Sequence, residues 1–590
     1  MKILLLVSAF NALSQRVWCT LRRDGHDVTV QFALDEASMI SAAEDFGPDL
    51  ILCPYLKARV PHQVWSRWRT IIVHPGPVGD RGPSSLDWAI MQDRAVWGVT
   101  ALQAVEAMDA GPVWASRTFP MPNPPLRKSA LYNGPVADAA LDCITEVLAK
   151  ASDPAIQPVA LDQAYRPVAD TGLIAAARQS DRQCSWAGPT RAILQRIRAA
   201  DGSPGLRTQL AGVDVYAYDA HLPRAGISPG TPARPIQRRR TSQPGTIVGW
   251  HEGAVEVATG DGSIWIGQLR LADPETGGSP GIKLPAAMVL AEHLGKVRQA
   301  PAHEAPAEIS YRRRGQVGEL RLDVYNGAMS TTVCDRIAVA LHHALGQSTR
   351  VLVLRGNDET LSNGINLNTI QAAANPAAEA WANIRAINTI CRHLTTASGQ
   401  VTIAAFSGNA GAGGVMLALG ADLVVARDGI VLNPYYTMGL AGSELHTLTL
   451  PLRVGAEQAR RLLDDQLPLD APQALDIGLV DMVGPRPPQD FDAWLAEVAD
   501  RYTSRAAATA LVQDRRRRVA DASRPLDAYE AVELGRMARD MFDDAHGFHA
   551  ARAAFVGKRQ PDTTPARLAR HRTLTSTALH VRSTRLEPAA

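Results

Sequence analysis

Over the first 160 residues, compact apolar runs alternate with stretches of helical periodicity, and this alternation limits the possible folds more than any other feature of the chain. Residues 2 to 8 form one apolar run, the segment NALSQRVWCTLRRDG has a helical period, and residues 26 to 34 return to strand-like alternation. Together they make a βαβ unit. Further runs at 50–54, 70–74 and 97–103 extend the pattern. Parallel strands joined by helices need both sheet faces covered, so residues 1–160 are expected to form a Rossmann-like, mostly parallel sheet. A ligand site is expected at the carboxyl ends of its strands. The run in MKILLLVSAFNALSQRVW reads as the first strand and not as a signal peptide, because no small-residue cleavage site follows it. No stretch approaches the about 18 apolar residues of a membrane span.

The texture changes after residue 180. One helix candidate, PTRAILQRIRAA, precedes short alternating segments (VDVYAY, GTIVGW, AVEVAT, SIWIGQL) bounded by Gly and Pro, which predicts a small OB-like β-barrel over 181–272. Within it, LPRAGISPGTPARPIQRRRTSQPG is too rich in Pro, Gly and Arg to pack a core and reads as a mobile loop, its Arg238 to Arg240 run as a solvated face. Residues 273–307, rich in Pro, Gly and Ala, read as a linker. From 308 to 485 the pattern is again α/β, antiparallel at its start. Residues 486–590 are read as a helical region ending in a loosely held tail.

With 590 residues the chain accommodates about three to five folding units. Its 61 Lys+Arg against 59 Asp+Glu give a net charge of +2, which argues against a dedicated nucleic-acid binder. The six cysteines follow no CxxC spacing, so neither a zinc knuckle nor a disulfide framework is indicated and a reducing cytoplasm is expected. The pair His342-His343 sits in a helical stretch, where adjacent residues point apart.

The segment VHPGPVGDRGPSSLDWAI places His74 after an apolar strand, at the head of a Gly/Pro-rich loop. An imidazole there serves as acid, base or oxyanion partner near neutral pH, or as a loop histidine bonded to backbone. Downstream, VTALQAVEAMDAGPVW holds Asp109 in a turn that an ordinary Asp-Gly preference would also produce. Together these segments resemble the formyltransferase-hydrolase family, in which a strand ends in Asn-x-His-Pro, an Arg-Gly loop follows, and a later Asp-x-Gly supplies the catalytic carboxylate. His74-Pro75, Arg81-Gly82 and Asp109-Ala110-Gly111 match. The resemblance implies that His74 and Asp109 are catalytic and that Arg81 and Gly82 bind the folate. Ile72 stands where that family has Asn, the group expected to polarise the formyl oxygen. The barrel, with its PGTI and GDGSIWIGQL segments, resembles the carboxyl-terminal domain of methionyl-tRNA formyltransferases; tRNA binding is not carried over with it.

Two more Gly-rich turns, SNGINLN (362–368) and GNAGAGGVMLALGADL (408–423), each follow an apolar strand and precede a helix. Unencumbered amides there are natural oxyanion donors, although close helix-sheet packing also selects Gly. With VLVLRG, NPYYTMGL, TLPLRVG and AAFVGKRQP, they make residues 308 to about 560 resemble the crotonase (enoyl-CoA hydratase/isomerase) superfamily, which implies the ClpP/crotonase superhelix fold and a bound coenzyme A thioester. By this match Ser362, with Gly364 beside it, and Gly413 cradle the thioester carbonyl. The two hydratase glutamates fall at Met416 and Tyr435, so water addition is not expected. Tyr435, Tyr436 and Glu444 form a nearby replacement set, with Tyr435 and Glu444 as a proton relay; alternatively the tyrosines are core aromatics and Glu444 caps a helix. Arg312 to Arg314 and Arg515 to Arg518 read as solvated charge runs, with contact to CoA phosphates the alternative.

A formyl-handling and an acyl-CoA-handling region on one chain point to a shared intermediate, formyl-CoA. This layout, with HPGPVGDRGPSSLDW and NPYYTMGLAGSE, resembles the HoxX family of hydrogenase maturation factors over nearly the full length. The resemblance implies formyl transfer from 10-formyltetrahydrofolate to coenzyme A, then decarbonylation to carbon monoxide and CoA for the iron of a NiFe-hydrogenase. It implies folate, CoA and hydrogenase maturation proteins as partners; from the charge balance and the absence of a long apolar stretch, no nucleic acid or membrane is expected. A formyltetrahydrofolate hydrolase fused to an acyl-CoA hydrolase, or a non-catalytic CoA-binding scaffold, are the alternatives.

Overall fold

The computed structural model describes residues 1–224, 242–272 and 281–572, so Arg238 to Arg240 lie outside the described residues. The chain divides into two compact units, one of Met1–Ala272, Pro285–Glu304 and Pro561–Ala590, the other of Asp273–Leu284 and Ala305–Gln560.

In the first unit six strands run in the order Asp27–Phe32, Lys2–Val7, Leu50–Cys53, Thr70–His74, Val96–Gln103 and Val113–Pro120. Neighbours among the first four are parallel, and the last two join antiparallel. Ile3 to Val7 are wholly buried, as a strand covered on both faces requires. Helix Ala12–Arg23 starts where the Asn11 side chain accepts the Ser14 N–H at 3.0 Å, satisfying an amide the helix leaves open. The change from parallel to antiparallel pairing occurs at Thr70–His74, and it leaves His74 at that strand's carboxyl end, opposite Thr100.

A second sheet in this unit orders Leu206–Leu210, Val213–His221, Ser263–Leu271, Ala254–Ala258 and Ile247–His251, with antiparallel neighbours. Ile193, Leu194 and Ile197 of helix Thr190–Ala200 enter its core. Two readings from sequence are corrected. Part of the stretch taken as a linker belongs to this core: Ala286, Leu290 and Leu294 are buried in it, and Trp250 N–H bonds Arg298 O at 3.1 Å. The tail is not loose throughout, because residues 564–572 cover the edge strand Asp27–Phe32. Val30 N–H donates to Leu568 O at 3.0 Å and Phe32 N–H to Thr564 Oγ1 at 2.8 Å. An open strand edge offers unpaired backbone groups, and one backbone carbonyl and one hydroxyl from a segment of turns satisfy them without any periodic signal.

The second unit is built on six strands in the order Ile309–Arg314, Val317–Leu322, Val351–Arg355, Val401–Phe406, Leu423–Arg427 and Met482–Gly484. The first pair is antiparallel and the rest are parallel. A small sheet of Ala410–Gly411, Val431–Asn433 and Leu469–Asp470 stands beside it. The Gly-rich turns leave the carboxyl ends of Val351–Arg355 and Val401–Phe406. Helix Arg505–Ala520 locks the second of these strands: Arg515 is buried, and its guanidinium bonds Asp422, Thr402 Oγ1 at 2.9 Å and Gln400 O at 3.2 Å. Arg515 is therefore not part of a solvated run, whereas Arg516 and Arg517 are exposed.

Removing one partner of a buried ion pair strands the other charge in a medium that solvates it poorly. Arg515→Met is expected to cost the second unit about 3–5 kcal/mol, and adding Asp422→Asn to recover most of it. Hydrogen exchange of Val401–Phe406 and Leu423–Arg427 under urea measures both.

Candidate functional sites

In the first unit the Gly/Pro loop after His74 folds back so that Asp80 meets the ring. His74 Nε2 lies 2.7 Å from Asp80 Oδ2 and Nδ1 lies 3.5 Å from Asp109 Oδ2, with all three side chains largely buried. Gly76 permits this arrangement, since a Cβ there would stand 2.1 Å from Asp80 Oδ2 and 2.6 Å from His74 Nε2. Asp109 occupies a left-handed turn, φ 50°, and its Oδ2 accepts the Gly82 N–H at 3.1 Å. Arg81 Nε donates to Met108 O at 2.9 Å. Arg81 and Gly82, assigned from sequence to folate binding, are thus engaged in holding the Asp109 turn. The contact with Asp80 fixes the ring, and the looser contact leaves Asp109 available to exchange a proton. Ile72 lies two residues before His74, on the same strand face, and packs against an apolar cluster that includes Ile51 and Cys53. Asp80 escaped the sequence reading although it stands in the same loop, because nothing in a Gly/Pro-rich segment specifies which way it folds.

In the second unit the structure brings Ser362, Gly364, Gly413, Tyr436 and Glu444 together. Asn363 N–H donates to Gly327 O at 2.7 Å, Gly364 N–H to Ser362 Oγ at 3.0 Å and Ala412 N–H to Asn433 O at 3.0 Å. Those amides are occupied; the Ser362 and Gly413 amides have no such acceptor among the described residues. Glu444 faces Gly413 directly, since a Cβ on Gly413 would stand 2.1 Å from Glu444 Oε1. Tyr436 Oη donates to Glu444 Oε2 at 2.6 Å, and Ser443 N–H donates to the same oxygen at 3.0 Å. Tyr435 instead bonds Asn433 Oδ1 at 3.0 Å. The expected pairing is corrected accordingly: the phenol that meets Glu444 is Tyr436 and not Tyr435. Adjacent residues in this extended loop point to opposite sides, and spacing alone does not say which side holds the carboxylate. Met416 is buried in the core.

Burial pushes the Glu444 carboxyl up to about 7, against the hydrogen bonds from Tyr436 and Ser443 that hold it down, and the charge of Glu533 adds to the rise. Tyr436 is raised well above its ordinary value, first by burial and then by the adjacent Glu444. His446 donates from Nδ1 to Ser443 O at 2.6 Å, packs on the Tyr436 ring with centroids 5.0 Å apart, and is lowered by burial. The arrangement is a carboxyl group poised near neutrality, backed by a phenol and set beside two open amides. Neither His446 nor its buried partner Glu533 carried a signal in sequence, since both lie among helical residues of ordinary composition.

A carboxyl whose folded pKa exceeds the unfolded 4.5 favours folding at low pH, and that contribution is lost as pH rises to about 7. Relative to Glu444→Gln, the wild-type second unit should therefore lose about 3 kcal/mol between pH 4.5 and 8. Urea denaturation of both proteins at these two pH values measures it; parallel curves would show Glu444 to titrate normally.

Comparison with known proteins follows the same two-part division. Residues 314–565 match the enoyl-CoA hydratase/isomerase family model, and residues 177–276 match the formyl transferase C-terminal domain. A methionyl-tRNA formyltransferase from Roseiflexus castenholzii is 32% identical over 31% of this chain and 52% of its own length. The crystal structure of HypX from Aquifex aeolicus in complex with tetrahydrofolic acid superposes with a TM-score of 0.88 at 35% identity, over 97% of this chain and 99% of that one. The hydrogenase maturation factor HoxX of Bradyrhizobium diazoefficiens is 38% identical over 97% of both chains. No helix among the described residues is long and apolar enough to cross a membrane. A formyltransferase part and a crotonase part joined in this order over nearly the whole length place the chain in the HoxX/HypX family of hydrogenase maturation factors.

Proposed function

We propose that the protein makes carbon monoxide in two steps, formyl transfer from 10-formyltetrahydrofolate to coenzyme A and decarbonylation of formyl-CoA, in support of NiFe-hydrogenase maturation. The observation that carries this reading is Glu444: a buried carboxyl near neutrality, hydrogen-bonded by Tyr436 and set against Gly413, where the hydratase positions hold Met416 and Tyr435. In the first step Asp109 accepts the CoA thiol proton and the thiolate attacks the formyl carbon. The bond to N10 of the folate then breaks with its electron pair going to that nitrogen, which takes the proton back from Asp109. A thiolate is a strong nucleophile, which suits a site lacking the formyltransferase Asn.

Formyl-CoA has no α-carbon, so neither hydration nor enolate chemistry is open to it. In the second step the Ser362 and Gly413 amides bind the carbonyl oxygen and Glu444 removes the formyl hydrogen as a proton. The C–H pair becomes the lone pair on carbon, the C–S bond breaks with its pair on sulfur, carbon monoxide leaves, and the proton is returned to the thiolate. Burial excludes the water that would otherwise yield formate. The family membership supports hydrogenase maturation as the setting, and the folate complex of the HypX relative supports the formyl donor.

Purified protein given 10-formyltetrahydrofolate and CoA should release carbon monoxide, detected as carbonyl-haemoglobin. Glu444→Gln should lower release about 10²-fold or more while folate is still consumed. His74→Ala should lose folate consumption yet still convert added formyl-CoA. Formate in place of carbon monoxide would establish the hydrolase alternative, and an absence of turnover the scaffold.

A further inference from the structure

The Ser443-Glu444-Leu445 segment is held in an uncommon backbone state by groups that no step above uses. Glu444 and Leu445 have φ of 62° and 58°, a left-handed conformation that is strained without Gly and persists only where the surroundings fix it. Two buried side chains from other helices supply the fixing. Asn388 of helix Pro376–Thr396 accepts the Glu444 N–H at 2.9 Å and donates to Ser443 Oγ at 2.9 Å. Glu533 of helix Leu526–Phe542 is wholly buried and accepts Leu445 N–H at 2.9 Å, Thr447 N–H at 2.8 Å, Thr447 Oγ1 at 2.6 Å and Ser443 Oγ at 3.2 Å.

A carboxylate taken from water into a dry interior is costly unless hydrogen-bond donors compensate it. Four donors converging on Glu533 compensate the charge, yet all four come from residues 443–447, which flank Glu444 on both sides. Asn388 reaches the same segment from another helix. We propose that Glu533 and Asn388 are positioning residues that act through the 443–447 backbone to aim the Glu444 carboxyl at Gly413. The inference rests on Glu444 being the group that moves the formyl proton, and it deepens that reading by naming what places it.

Among the described residues, the ionisable groups that interact with Glu444 are Tyr436 from its own loop region, Glu533 from helix Leu526–Phe542, Cys391 from helix Pro376–Thr396 and Cys334 from helix Thr331–Leu345; His446 packs on Tyr436, and Glu530 bonds Asn388. Of these, Glu533 contributes a negative charge that raises Glu444. The two positioning residues are therefore distinguishable: Glu533 supplies geometry and charge, Asn388 geometry alone.

Full-length Glu533→Gln and Asn388→Ala proteins are assayed with added formyl-CoA across pH. Both should lower kcat about 10- to 100-fold with KM changed less than threefold, because misplacement of a reacting group by about 1 Å has that effect. The limb of the kcat profile near pH 7 should move to lower pH in Glu533→Gln and stay in place in Asn388→Ala. A purely structural contact would weaken the fold without this split. Folate consumption by the first unit is the control for folding of the whole chain. Infrared difference titration of Glu444 against Glu444→Gln protein reads the same shift without turnover, so failure of the decarbonylation reading is told apart from failure of this one. Glu533→Gln protein with kcat within twofold of wild type, or with an unmoved Glu444 titration, would overturn the proposal. So would Asn388→Ala protein with unchanged kcat.

Discussion

The second unit is organised around one buried carboxyl group. Glu444 is 2% exposed, and a carboxyl there requires hydrogen bonds on both oxygens or a proton. Tyr436 and the Ser443 amide serve one oxygen; the other occupies the space that a side chain on residue 413 would fill. The absence of a Cβ at Gly413 has two consequences at once. It leaves the Gly413 amide unobstructed, and it lets the carboxyl approach that residue. The left-handed backbone at Glu444 and Leu445, the hydrogen bonds that this segment donates to Asn388 and Glu533, and the packing of His446 on Tyr436 all surround this group.

The first unit solves a different problem with a similar economy of residues. His74 lies between two carboxylates, held closely by Asp80 and loosely by Asp109, and the absence of a side chain at Gly76 makes the closer contact possible. In both units a side-chain polar atom occupies the position that a Cβ on the glycine would take. In both, too, one carboxyl-bearing residue of the cluster, Asp109 or Glu444, sits in a turn with positive φ, so that backbone strain is concentrated there and is offset by surrounding hydrogen bonds.

The strands were legible because burial on both sheet faces demands unbroken apolar runs: residues 50–54 and 70–74 were read to within a residue of the strands Leu50–Cys53 and Thr70–His74. The turns were legible because Gly-rich segments between strand and helix have few other uses. Residues 564–572 and 286–300 were not, since both attach through scattered hydrogen bonds and small apolar residues that leave no period. Arg515 was misread for a related reason. A run of four arginines looks uniformly solvated, and only the helix phase sends the first of them inward to Asp422.

What the sequence determined by itself was the α/β texture of both units, the small antiparallel sheet within the first, and the short segments that bear His74, Asp109, Ser362, Gly413 and Glu444. These are local properties, written in hydrophobic period and in residue types confined to a few contiguous positions. What only the tertiary structure decided was pairing: Asp80 with His74, Tyr436 rather than Tyr435 with Glu444, and Asn388 and Glu533 with the loop that carries it. The physical reason is that hydrogen bonds are made between atoms within about 3 Å of each other, and chain separation does not constrain which atoms those are once helices from distant parts of the sequence pack together.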